Sequence, residues 1–237
     1  MLREFRRWQV SSLDNMILVD RLRGIFDTYF GLGAHDLNSM LFVGGSGLGK
    51  TTLARLISKH FDWGRVERLQ LTDDRFYKDD KLDTKLIARH LSNITSQGNN
   101  LTRFFSTNDK RSLYILDELQ QLTTAQQRRL NDSLEEQADG ICLIATMNVE
   151  YKGAGSNSTL SRMEVIDFDI IQQKQHRAEL IKDMVRVGKI CIKDIGANED
   201  ILTEEDLKDI AKQTHYDFRD FFITLGRRYV MKEQGKD

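Results

Sequence analysis

The sequence predicts an α/β protein: a doubly wound sheet of five parallel strands flanked by helices, followed by a small three-helix lid. Three observations predict it. Short apolar runs alternate with longer helical patterns up to about position 168, the alternation that strand-helix-strand units produce. From about Asp169 onward the strand-like runs stop, and apolar residues recur only at helical spacing. At 237 residues the chain is long enough for one α/β domain with a satellite, and it can bury a core without staples.

The expected strands are Met40 to Val43, Val66 to Leu71, Leu113 to Leu116, Ile141 to Ala145 and Val165 to Phe168, each near the length of a buried parallel strand. A helix is expected from Thr52 to His60. Leu122, Leu130 and Leu134 recur at helical spacing, and Thr123 with Gln126 three residues on starts a capping box for a crossover helix. The lid helices are expected through Leu180, Met184 and Val187, from Thr203 with Asp206 as its box partner, and through Phe218, Phe221, Phe222, Leu225 and Tyr229. These elements divide the chain into a nucleotide-binding domain, 1–168, and a helical lid, 169–237.

Composition narrows the class. With 40% hydrophobic and 30% charged residues the chain reads as soluble, and no apolar run approaches the roughly 20 residues of a membrane span. The basic start Met-Leu-Arg-Glu-Phe-Arg-Arg-Trp leads into no apolar signal core, so a cytoplasmic protein is expected. Cys142 and Cys191 stand far apart without His or Cys at ligand spacing, which suits buried thiols rather than a zinc site. A net charge of −1 provides no overall basic field, so any DNA contact must come from a local patch.

The chemistry gathers at two places. Gly44-Gly45-Ser46-Gly47-Leu48-Gly49-Lys50-Thr51 fits the P-loop pattern G-x-x-x-x-G-K-S/T between an expected strand and helix. Glycines let backbone N–H groups curl round a β-phosphate, the helix N-terminus favours anions, and Lys50 reaches the β- and γ-oxygens. Thr51 would ligate Mg²⁺, and Thr52 completes the phosphate-binding stretch. Leu113-Tyr114-Ile115-Leu116-Asp117-Glu118 is an apolar strand ending in two acids. Strand ends face the ligand crevice in such sheets. Asp117 would hold Mg²⁺, and Glu118 would polarise the attacking water as general base. Acids after a strand also cap helices, and it is the P-loop upstream that favours the catalytic reading.

Leu116-Asp117-Glu118, Gln120-Gln121-Leu122-Thr123, Gln127, Leu130, Leu134-Glu135-Glu136 and Ile144-Ala145-Thr146-Met147-Asn148 together resemble the central block of DNA-polymerase sliding-clamp-loader subunits, which are AAA+ ATPases. The resemblance implies an AAA+ P-loop fold, ATP and Mg²⁺, with Asn148 as the sensor that orients the lytic water. Ser161-Arg162-Met163 resembles the family's Ser-Arg-Cys motif, differing at the third position, and implies that Arg162 reaches the γ-phosphate of a neighbouring subunit. Tyr216-Asp217-Phe218-Arg219 resembles Gly-Asp-x-Arg, with Tyr in place of Gly, and implies that Arg219 touches the nucleotide. Glu4-Phe5-Arg6-Arg7 ahead of Leu13-Asp14-Asn15-Met16 is similar to a Lys-Tyr-Arg-Pro leading segment that packs on adenine, which puts Arg6 and Arg7 near the base. Leu71-Thr72-Asp73-Asp74-Arg75 resembles a Ser-Asp-x-Arg stretch. As plain sequence, an Asn here also suits a loop turn, and each arginine also suits a solvated surface.

By this resemblance the chain is expected to assemble with other AAA+ subunits, as a homo- or hetero-oligomer, on primer-template DNA and to load a sliding clamp. Helices starting near Lys81 and Thr123 would then face DNA, making Lys81, Lys85, Thr124 and Arg128 candidate phosphate contacts. The resemblance does not extend to the helical collar that usually follows the lid in clamp-loader subunits. The alternative is an AAA+ helicase loader or a transposition or replication regulator forming an ATP-dependent oligomer or filament on DNA. The segment Gly-Leu-Gly-Lys-Thr-Thr-Leu-Ala also resembles Holliday-junction branch-migration motors, but their sensor stretch is not found, and that reading ranks lower.

Overall fold

The computed structural model describes residues 1–70, 77–78, 81–82, 110–125, 127, 140–148 and 163–235. Seven strands lie among them: β1 (Met40–Val43), β2 (Arg65–Gln70), β3 (Tyr77–Lys78), β4 (Lys81–Leu82), β5 (Ser112–Asp117), β6 (Ile141–Met147) and β7 (Glu164–Asp167). Five form one parallel sheet in the order β2-β5-β6-β1-β7. All five expected strands are present, β1 with its expected ends and the others with ends moved by at most two residues. Every residue of β1 and β6 is buried, as central strands covered on both faces require. The edge strand β7 buries only Ile166.

Register decides which side chains meet. Val43 pairs with Met147 and Leu116 with Ala145, so the carboxyl ends of β1, β5 and β6 finish side by side. That edge is where open α/β sheets bind ligands.

The helices are α1 (Leu2–Arg7), α2 (Asp20–Phe30), α3 (Lys50–His60), α4 (Arg177–Asp194), α5 (Glu204–Gln213) and α6 (Phe218–Glu233). The last three are the expected lid helices. Leu180, Met184 and Val187 are buried on α4. Thr203 and Asp206 exchange the reciprocal bonds of a capping box at the start of α5, so two orphan N–H groups are satisfied locally. Asp217 caps α6, whose Phe218, Phe221, Leu225 and Tyr229 are buried. Phe222 is half-buried, its ring 5.0 Å from that of Trp8.

The chain folds as two compact units. One comprises Met1–Tyr29, Gly45–Leu56 and Phe168–Asp237, and the other Phe30–Gly44 and Ile57–Asp167. In the first, Phe5 of α1 packs 5.3 Å from Tyr229 of α6. Asp183 of α4 accepts from Leu18 N–H at 2.8 Å and from Arg23 and Arg186 at 3.2 and 2.6 Å. That shared carboxylate ties the segment before α2 to the lid, and charge-assisted bonds of this kind are stronger than neutral ones. In the second unit, Leu41, Tyr114, Leu116, Leu143 and Met147 are part of the sheet core. Arg111 is buried there, donating to the carbonyls of Ala34, His35, Leu37 and Ile141.

One expectation changes. Lys81 begins a strand, not a helix: β3 and β4 pair antiparallel, with Tyr77 opposite Leu82 and Lys78 opposite Lys81. The Leu71 to Arg75 stretch and most of the crossover helix expected through Leu130 and Leu134 lie outside the described residues.

Candidate active site

From Gly45 onward the phosphate loop belongs to the first unit. It runs from Gly45 into α3, which begins at Lys50. Gly47 and Gly49 have φ of 79° and 84°, a left-handed conformation that only glycine adopts cheaply. Alternation of this kind turns successive N–H groups into an anion-binding nest. Leu48 is buried, Ser46 is exposed, and Thr51 and Thr52 are half-buried in the first turn of α3. The residues present therefore fit a bound nucleotide phosphate.

Lys50 is 7% exposed, and its Nζ donates to the Gly45 carbonyl at 2.5 Å. Burial pushes its ammonium down from 10.5 to about 8, against a smaller opposing pull from the Asp169 carboxylate. Asp169 also accepts the Gly45 N–H at 2.8 Å.

The lid reaches the same loop. Phe218 N–H donates to the Gly47 carbonyl at 3.2 Å. A Cβ at Gly47 would stand 2.0 Å from Asp217 Oδ2, so glycine is required there for closeness as well as for φ. Arg219, the next residue after Phe218, is exposed near the start of α6. Arg6 and Arg7 are exposed in the last turn of α1, where Phe5 is the residue turned inward.

The acids belong to the second unit, at the carboxyl edge of its sheet. Asp117 is 7% exposed. Its Oδ2 accepts two bonds from Arg68, Nε at 2.9 Å and Nη2 at 2.5 Å, and its Oδ1 accepts from Thr146 Oγ1 at 3.3 Å. Thr146 Oγ1 in turn accepts the Glu118 N–H at 3.1 Å, so one hydroxyl on β6 aligns both acids. Glu118 has φ 63° and ψ 52°, a left-handed backbone that costs a non-glycine residue about 1–2 kcal/mol. Such strain concentrates at functional positions. The Glu118 carboxylate also accepts from Gln121 Nε2. Asn148 follows β6 directly and is half-buried, and Gly44 N–H donates to the Met147 carbonyl at 3.2 Å. The edge thus gathers the first residue of the phosphate loop, both acids and the sensor candidate.

The sequence model of the ATPase family associated with various cellular activities (AAA) matches residues 40–166. The chain belongs to this family of ATPases. The match contains the phosphate loop, Asp117, Glu118, Asn148 and Arg162. No curated protein matches the chain by sequence. Among solved structures the fold is similar to a Thermotoga maritima RuvB variant, at TM-score 0.67 and 17% identity over 96% of this chain and 67% of that one. It is also similar to the Thermotoga maritima RuvB Holliday junction branch migration motor, at 0.65 and 18% over 98% and 68%. Domain III of the Thermotoga maritima replication initiation protein DnaA matches at 0.60 and 16% over 95% and 90%. These likenesses describe the fold.

The remaining expected residues of this AAA ATPase divide between described and undescribed positions. Arg162, Lys85 and Arg128 fall outside the described residues, Thr124 is exposed at the start of a helical segment, and Lys81 stands in β4. The sequence did not single out Asp169 or Arg68, and Gln121 and Thr146 stood out only within the clamp-loader resemblance. Arg68 carried a signal, since an arginine within a short sheet strand needs a partner. No local pattern pointed to Asp169, whose bond to Gly45 spans 124 positions.

Proposed function

We propose that the chain binds and hydrolyses Mg²⁺–ATP and couples that cycle to assembly with other AAA+ subunits on DNA, as a clamp-loader-like ATPase. The carrying observation is the sheet edge where Thr146 holds Asp117 and Glu118 together beside Asn148 and Gly44. On this reading 1–168 is the nucleotide-binding domain and 169–237 the lid. Amides of Gly44 through Thr52 grip the phosphates, and Lys50 neutralises them. Thr51 and Asp117 hold Mg²⁺, which when bound offsets charge developing on the phosphoryl oxygens. Glu118 accepts a proton from the attacking water, Asn148 orients that water, and Arg219 with Arg6 and Arg7 faces the nucleotide. Arg162 acts on the site of a neighbouring subunit, and such arginines contribute roughly 10³ to 10⁵ in rate. Thr124, Lys85, Arg128 and Lys81 are candidates for DNA phosphates.

A mixing experiment tests the shared site. Arg162→Ala has a base but no finger, and Glu118→Gln has a finger but no base. Each alone should be slowed at least about 10²-fold, and their mixture with primer-template DNA should regain hydrolysis. A mixture as inactive as its parts would remove the trans role.

The clamp partner rests on the resemblance around Leu116 to Asn148 and is tested by capture of a sliding clamp in the presence of a non-hydrolysable ATP analogue. A helicase loader or a transposition or replication regulator is the second reading. The fold likeness to DnaA domain III, a replication initiation protein module spanned to 90%, favours it. Microscopy separates the two: a closed ring supports loading, and an open filament supports the regulator.

A further inference from the structure

We propose that Arg68 is an internal competitor for the magnesium position on Asp117 and so sets the metal affinity of the site. The inference rests on the role given to Asp117 in the proposed function. Arg68 stands on β2, where it is paired with Ile115, while Asp117 is paired with Gln70. Its side chain therefore runs along the strand direction to reach the acid. Nε and Nη2 both donate to the single oxygen Oδ2, at 2.9 and 2.5 Å. A guanidinium cannot release its charge at any accessible pH, so it withdraws only by moving.

The two partners differ in exposure. Among the described residues β2 is an edge strand of the sheet, and the Arg68 side chain is 28% exposed against 9% for Asp117. The arginine is the more solvent-exposed of the pair. The aspartate stays, because Thr146 Oγ1 donates to its other oxygen and holds the Glu118 N–H as well. A divalent cation approaching Asp117 thus exchanges with Arg68, while Thr146 keeps both acids aligned. The arrangement prevents Asp117 from binding stray divalent cations tightly, and it makes metal capture depend on the nucleotide phosphates that share the ion.

Two guanidinium N–H groups on one carboxylate oxygen occupy the lone pairs and offset the charge that a metal ion would use. Arg68→Gln should therefore bind Mn²⁺ about tenfold more tightly than the parent in the presence of ADP. Electron paramagnetic resonance of free Mn²⁺ measures this without turnover. Arg68→Lys keeps the charge but loses the two-pronged donation, and it should fall between parent and Arg68→Gln. It also carries the test alone if Arg68→Gln does not fold. Mn²⁺ affinity equal to or weaker than the parent's, in whichever variants fold, overturns the inference and leaves the ATPase reading standing. A parent that takes up no Mn²⁺ with ADP overturns both.

Discussion

Lys50 meets two opposed demands. The phosphates need an ammonium, yet the side chain is buried against the Gly45 carbonyl, and burial brings it down to about 8. Below that pH the free protein holds the charge that the nucleotide requires. Above it the free lysine is neutral, and binding must take up a proton, because the phosphate favours the charged form. Affinity for ADP should then be flat below about pH 8 and fall above it by as much as about tenfold per unit. Lys50→Arg, charged throughout, should flatten the profile. Calorimetry from about pH 6.5 to 9.5 checks this, and a parent profile as flat as the variant's would remove the burial argument. The pattern around Lys50 made its target legible in the sequence. Its burial and its neighbour Asp169 were not, because they depend on residues distant in the chain.

At the level of elements, helix α6 and the phosphate loop constrain each other. Asp217 caps α6 by accepting the Asp220 N–H at 2.9 Å, and its carboxylate fills the space above Gly47. Gly47→Ala should cost more than about 2 kcal/mol, combining a left-handed backbone with a steric clash. Asp217→Ala should cost about 1 kcal/mol through the lost cap. Since the second change removes the atoms that clash, the double variant should be less destabilised than the sum of the two. Denaturant unfolding measures all three, and strict additivity would show that the carboxylate does not confine Gly47. The cap at Asp217 and the box at Thr203 and Asp206 are local signals with short spacing. The β3–β4 pairing at Lys78 and Lys81 was not legible, because strands of two residues carry no period to read.

For the molecule as a whole, nucleotide binding is linked to folding. Mg²⁺–ADP at ~100 times its Kd contributes about 2.7 kcal/mol, or about 5 to 10 °C in Tm for a chain of this size. Lys50→Ala should lose most of that shift in scanning fluorimetry while unfolding normally without ligand. An equal shift in both proteins would place the nucleotide away from the loop.

By itself the sequence determined the five strands, the three C-terminal helices, the capping box at Thr203 and Asp206, the phosphate loop and the acidic pair, because each is written in residues only a few positions apart. Tertiary structure decided the strand order, the Thr146 hydroxyl that aligns Asp117 with Glu118, the arginine on Asp117 and the carboxylate on Gly45. Those contacts follow from register and from chain returns over long separations, where a shift of one residue would turn every side chain of a strand to the opposite face.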